Sequence, residues 1–295
     1  MSDNNTLSAP APAIRSAAVP PDTAARLTAV GAAPDTPFDL ADVALVLAGL
    51  DRPGVPLEPY RAHLAALADD VAAACGKAQG NRSARMRAAA LIAALRRNEG
   101  YAGDLDTYDD LQNANLMQVI DRRRGLPVAL GILYLHAARA QGWTAHGLAF
   151  PGHFLCAVES GAERVIIDPF SGEVVEGASG LRALVKAVAG TEAELRPAYC
   201  AALDDRFVLL RLLNNIKTRL AGKGRFAEAV AVTERMLMIV PEEIALHRDL
   251  GTFHAETGNL KAALAALKTF VGATRDIDAR HQAAALAQNI AARLN

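Results

Sequence analysis

"RGLPVALGILYLHAARAQGW" (Arg124–Trp143), continuing into "TAHGLAFPGHFLCAVESGAERVIIDPF" (Thr144–Phe170), changes its hydrophobic period in mid-course. The first segment is apolar almost all round, which predicts a helix buried at the centre of a domain. Pro127 stands where the first turn begins, a position that has no intrahelical N–H partner in any case. Gly142 is a natural C-terminal cap. From Trp143 the period falls to two. "WTAHGLAF", "HFLCAVE" and "RVIIDPF" read as successive strands joined by Pro-Gly and "SGAE" turns, with "GEVVE" as a short fourth strand. Helices followed by a small antiparallel sheet predict an α+β domain.

Upstream, "FDLADVALVLAGL" (Phe38–Leu50) has helical spacing, with Asp39 or Asp42 as its cap, and "DRPGVP" ends it. A second helix over Leu57–Gly76 sets Leu64, Leu67, Val71 and Ala74 on one stripe. A third, over Arg82–Arg97, uses Met86, Ala90, Leu91 and Leu95. "NEGYAGDLDTYDDLQ" reads as a loop whose carboxylates match no calcium-loop spacing, and Asn113–Arg123 as a short helix. Residues 1–36 are rich in Ala, Pro and Ser and lack the basic and apolar parts of a secretory signal. They read as a disordered leader.

Beyond Thr191 the chain returns to helix. "GRFAEAVAVTERMLMIVP" from Gly224 aligns with "GNLKAALAALKTFVGATR" from Gly258, 34 residues later, which is the tetratricopeptide period. Gly224 and Gly258 fall at the turns, Phe226 and Leu260 beside them, and Ala229 and Ala263 where paired helices approach closely. Pro241 ends the first unit. Helices over Arg206–Ala221 and Glu242–Glu256 complete the pairs, and Asp278–Leu294 caps the array. The expected division is therefore a leader (1–36), an α+β core domain (37–190) and an all-α repeat domain (191–295).

A length of 295 residues suits about two domains, and 52% hydrophobic residues with a mean hydropathy of +0.13 supply a sizeable core. A net charge of −1 provides no field for gathering nucleic acid or anionic lipid. Neither partner is expected. The apolar runs are too short to span a bilayer. Three dispersed cysteines, Cys75, Cys156 and Cys200, make no disulfide framework and no zinc-site spacing. That usage indicates a reducing, cytoplasmic setting, with no metal and no cofactor expected.

Cysteine, histidine and aspartate together are the parts of a nucleophilic triad. If "HFLCAV" is regular strand, His153, Leu155 and Ala157 face one way while Phe154, Cys156 and Val158 face the other. Cys156 then cannot serve His153, and reads as a small buried hydrophobe. His153 and Asp168 can meet at one end of a hairpin, with the carboxylate orienting the imidazole. "DRRRG" (Asp121–Gly125) reads either as an anion or acidic-partner site or, preferably, as a solvated turn paired with Asp109 or Asp110. His136 reads as a hydrogen-bonded core histidine and Trp143 as packing at the helix-to-strand junction.

"NANLMQVIDRRRGLPVALGILYLHAARAQGW", "LAFPGHFLCAV" and "VIIDPFSGEVVE", followed by the repeats, resemble the bacterial SirB-type family, from about Phe38 to the C-terminus. That family joins a transglutaminase-like (papain-like) core to C-terminal tetratricopeptide repeats. The resemblance implies that His153 and Asp168 match the core's His and Asp. It places the nucleophile at the start of the central helix, within Gly125, Leu126, Pro127 and Val128, where no cysteine or serine stands. The expectation is a non-catalytic binding or regulatory module whose repeats pack on the core and take an unidentified protein or peptide. One alternative is a hydrolase or transferase in which His153, oriented by Asp168, acts as general base. Another is a thiol enzyme using a displaced Cys75 or Cys200.

Overall fold

The computed structural model describes residues 19–33, 36–76 and 83–294. Helices α1 (Pro21–Ala32), α2 (Leu40–Leu50), α3 (Glu58–Cys75) and α4 (Ala84–Leu91) precede strand β1 (Ala102–Gly103). Helix α5 (Leu116–Arg122) and strand β2 (Arg124–Gly125) lead into α6 (Pro127–Ala140). Strands β3 (Thr144–Leu148), β4 (Cys156–Ser160), β5 (Glu163–Asp168) and β6 (Glu173–Val174) follow, then α7 (Gly177–Ala189) and β7 (Ala202–Leu203). The chain closes with α8 (Asp205–Gly222), α9 (Phe226–Ile239), α10 (Ala245–Glu256), α11 (Leu260–Ala273) and α12 (Ile277–Leu294). No described helix is long and apolar enough to cross a membrane.

Helix α6 is the centre of the molecule, as its apolar circumference predicts. Every residue from Val128 to Leu135 is buried, and each large apolar side chain among them contributes about 1.5–3 kcal/mol over exposure. The antiparallel sheet lies against it in the order β6-β5-β4-β3-β7. Alternation along β4 and β5 divides the sheet's faces. Cys156, Val158, Val165 and Ile167 join the main core with α6, whereas Leu155 and Ala157 join a second cluster with Leu181 and Val185 of α7. The architecture is α+β: a helix-backed antiparallel sheet followed by tetratricopeptide helices.

Several expectations shift. Pro21–Ala32 of the expected leader is helix α1, with Leu27 fully buried, while residues 1–18 lie outside the described residues. Gly31 is what lets α1 seat on α9, since a Cβ there would come within 2.3 Å of Met238 O. Leu64, Leu67 and Val71 form the α3 stripe, but Ala74 is exposed. The third helix passes into a π-helical turn over Ile92–Asn98, and the widened turn changes which residues face inward. Of the expected stripe Ala90, Leu91 and Leu95 are buried, whereas Met86, in the regular helix ahead of that turn, stands 53% exposed. Asn113–Arg123 divides into a 3-10 turn and α5, with Asn115 capping α5 through Gln118 N–H.

In the repeats, Gly224 and Gly258 adopt φ of 69° and 76°, the left-handed conformation that glycine enters without steric penalty. Ala229 and Ala263 are fully buried. The ring of Phe226 lies 6.1 Å from that of Phe253. Helix α10 begins at Ala245, three residues later than expected after Pro241. The main hydrophobic core runs without interruption from α2 through α6 into α8, α9 and α10. Arg139 of α6 grips Asp205 of α8 through two bonds of 2.6 and 2.9 Å. Arg235 of α9 meets Asp51 at 3.0 Å, with only 3% and 8% of their side chains exposed.

Candidate functional site

The His153 imidazole is set by a turn rather than by a strand. Strand β4 begins only at Cys156. Before it, His153 N–H donates to Pro151 O at 2.8 Å, closing a three-residue turn around Gly152, whose φ is 63°. The turn carries His153 Nε2 to 3.1 Å from Asp168 Oδ2, at the end of β5. That separation suits an ion pair, but the alignment falls outside that of a good hydrogen bond. Burial works to raise the Asp168 pKa. The His153 ring, the Phe170 N–H at 2.8 Å and the Ser171 side chain outweigh it and hold the carboxyl below its ordinary value.

Cys156 faces away from this pair, but not for the reason expected: His153 lies in the turn before β4 and not on the strand. Its thiol is 1% exposed and lies 3.7 Å from Gly131 O, one helical turn past Pro127. Burial pushes its pKa far up, so it is held as the protonated, unreactive thiol. The start of α6 offers no substitute. Leu126 is the N-cap and donates its N–H to Asn113 O at 2.8 Å, and Pro127 occupies the first turn. Gly125 and Val128 are buried beside them. A Cβ on Gly125 would press to 2.8 Å from Val119. Cys75 and Cys200 are half-buried, on α3 and in the 3-10 turn before β7.

Two features of the surroundings carry no signal in residue spacing. The first is Arg211 of α8. Its guanidinium donates to Phe150 O at 2.7 Å and His153 O at 2.6 Å, clamping both ends of the turn, and lies 5.6 Å from the Phe154 ring. Burial lowers its pKa. The second is the loop before α5. Tyr108 packs edge-on to Phe170, two residues from Asp168, at 5.9 Å, with Arg219 of α8 5.3 Å above it. Three residues earlier in the same loop, Leu105 stands 82% exposed.

The "DRRRG" pairing differs from expectation. Arg122 binds Asp104 at 2.6 Å and Arg123 binds Glu99 at 2.9 Å, while Asp109 is taken by Arg219 at 3.2 Å. Asp104 turns inward because Thr107 supplies N–H and O–H donors to it. His136 Nε2 donates to Leu64 O, 3.2 Å away, and Trp143 lies under Arg87 at 5.6 Å.

Alongside the sheet, α8 and α10 enclose a groove of about 520 Å³. Leu203, Phe207, Leu210, Met236 and Leu246 give it an apolar floor, and Arg211, Lys217, Glu243, Arg248 and Asp249 line it with charge. Lys217 and Asp249 pair with each other across the two helices.

This architecture is found in known families. The profile described as the transglutaminase-like superfamily matches residues 58–214, and that of the tetratricopeptide repeat matches residues 216–295, so the two meet inside α8. The chain belongs to the transglutaminase-like superfamily, among its SirB-type proteins. A UPF0162 protein of Vibrio cholerae is 30% identical over 235 residues, covering 79% of this chain and 86% of that one. A UPF0162 protein of Xylella fastidiosa strain Temecula1 is 33% identical over 175 residues, 58% of this chain and 62% of the relative's length. Protein SirB1 of Salmonella typhimurium is 29% identical over 157 residues, 53% of this chain and 58% of that protein. Among solved structures, menin covers 88% of this chain and 72% of its own at 12% identity and a TM-score of 0.38, a likeness too loose to carry an argument.

Proposed function

We propose that this chain is a non-catalytic, cytoplasmic protein-binding or regulatory module. The observation that carries the reading is the start of α6, where Leu126 and Pro127 stand at the position the family resemblance assigns to the nucleophile. Proline supplies neither an attacking atom nor an N–H for an oxyanion. The buried Cys156 thiol faces Gly131 O and not His153. The α8–α10 groove has an apolar floor and a charged rim, the pattern of a protein-binding surface. Packing of the repeats onto the core holds that groove rigid, which lowers the ordering penalty of binding.

Two measurements test this. Full-length protein should incorporate no fluorescent primary amine into casein and should hydrolyse no ester in a manner that depends on His153. Affinity capture with the full chain should retain a protein that is lost with a folded Leu210→Arg variant, a change at the half-buried groove floor. Retention of nothing, or equal retention by the variant, counts against the module.

The second reading is a hydrolase or transferase that uses the imidazole as general base. What favours it is the 3.1 Å approach of His153 to Asp168. Turnover lost in a folded His153→Ala protein would establish it and displace the first.

A further inference from the structure

We infer that Arg211 couples the groove to the imidazole, and that the groove takes a peptide presenting a carboxylate beside an apolar side chain. This rests on the reading of the groove as a binding site. One side chain belongs to both places: Arg211 lines the groove between α8 and α10, and the same guanidinium holds the Phe150 and His153 carbonyls. It is a half-buried cation. Among the described residues no carboxylate forms an ion pair with it, whereas Lys217, which also lines the groove, is paired with Asp249. A partly desolvated charge without a counterion is held at a penalty that an incoming anion relieves. Only two of its five N–H donors are used by the two carbonyls, so a carboxylate can be received by the rest.

The apolar floor specifies the neighbour of that carboxylate. Phe207 and Leu210 of α8 and Leu246 of α10 flank Arg211 and accept an aliphatic side chain adjacent to the acid. Binding is then felt at His153. A carboxylate drawing the guanidinium toward the groove weakens the bonds to Phe150 O and His153 O, and the turn that sets the 3.1 Å approach to Asp168 loosens. By linkage, whatever fixes the turn alters affinity in the groove by the same factor.

The test uses the full chain and two capped peptides, acetyl-Leu-Glu-Leu-amide and its Gln counterpart, at millimolar concentration. Signals are followed by NMR at the His153 ring and at groove residues, together with amide exchange over residues 150–155. The Glu peptide should shift Phe207, Asn214 and Leu246 signals and the His153 ring together, with about tenfold weaker binding of the Gln peptide, the scale of one charge-assisted hydrogen bond. Without peptide, Arg211→Gln should speed exchange at 150–155 at least about tenfold and abolish the preference for Glu. Arg211→Lys keeps the charge without the fork and should lie between; it serves if the Gln variant does not fold. Groove shifts without a His153 response overturn the coupling and leave the groove standing. No shift at all overturns the groove as well. Equal binding of both peptides overturns the carboxylate preference.

Discussion

Asp168 is where the local electrostatics are most legible. Its carboxyl titrates below the ordinary value in the folded chain, so the resulting stability is present above the unfolded pKa and is lost as pH falls through the folded one. Asp168→Asn should therefore lower stability by about 1–3 kcal/mol at pH 7. The gap to the parent should close as the solution is acidified below about pH 4, the unfolded carboxylate range. Urea titrations at a series of pH values from 7 downward check this, and a gap that does not narrow with acidification contradicts it. Cys156 makes an opposite case. Its thiol is buried and its pKa is pushed up. Near neutral pH iodoacetamide should modify Cys75 and Cys200 and spare Cys156 until the protein is unfolded. Mass spectrometry of labelled peptides reads this directly, and rapid labelling of Cys156 in native protein would refute it.

At the scale of elements, the contact that sets the site is β4 against α6. Gly131 permits it, because a Cβ there would lie 2.2 Å from the Phe154 ring and 3.3 Å from Cys156 Sγ. Gly131→Ala improves helix propensity but overpacks this junction, and overpacking should prevail by about 1–3 kcal/mol. Thermal unfolding should show a lower midpoint than the parent; a higher one would mean that β4 can retreat freely. The order of elements was readable because the hydrophobic period changes sharply at Trp143 and repeats 34 residues apart from Gly224. The π-helical turn at Ile92–Asn98 was not readable. An added residue in one turn leaves the apolar content of the segment unchanged and only rotates it.

For the whole molecule, the uninterrupted core and the buried Arg235–Asp51 pair join α9 to the segment after α2. Removing Asp51 takes a charged hydrogen-bond partner from the buried Arg235 guanidinium. Asp51→Ala should destabilise by about 1–3 kcal/mol, although the two ends of the pair lie 184 residues apart. The parent should unfold in one transition reported alike by probes in the sheet and in α11. Two separated transitions would show that the repeats and the core are independent.

The α+β order, the burial of α6 and the tetratricopeptide period were all determined by the sequence alone. Each rests on a local rule: strand alternation, helical periodicity, or a turn residue whose backbone conformation few other residues can adopt. The tertiary structure alone decided that Pro21–Ala32 folds as α1, that Arg122 and Arg123 pair with Asp104 and Glu99, and that Arg211 holds the His153 turn. Those outcomes join residues far apart in the chain. Their partners are chosen by which surfaces the packed helices bring within a few ångströms, and neighbouring residues carry no trace of that choice.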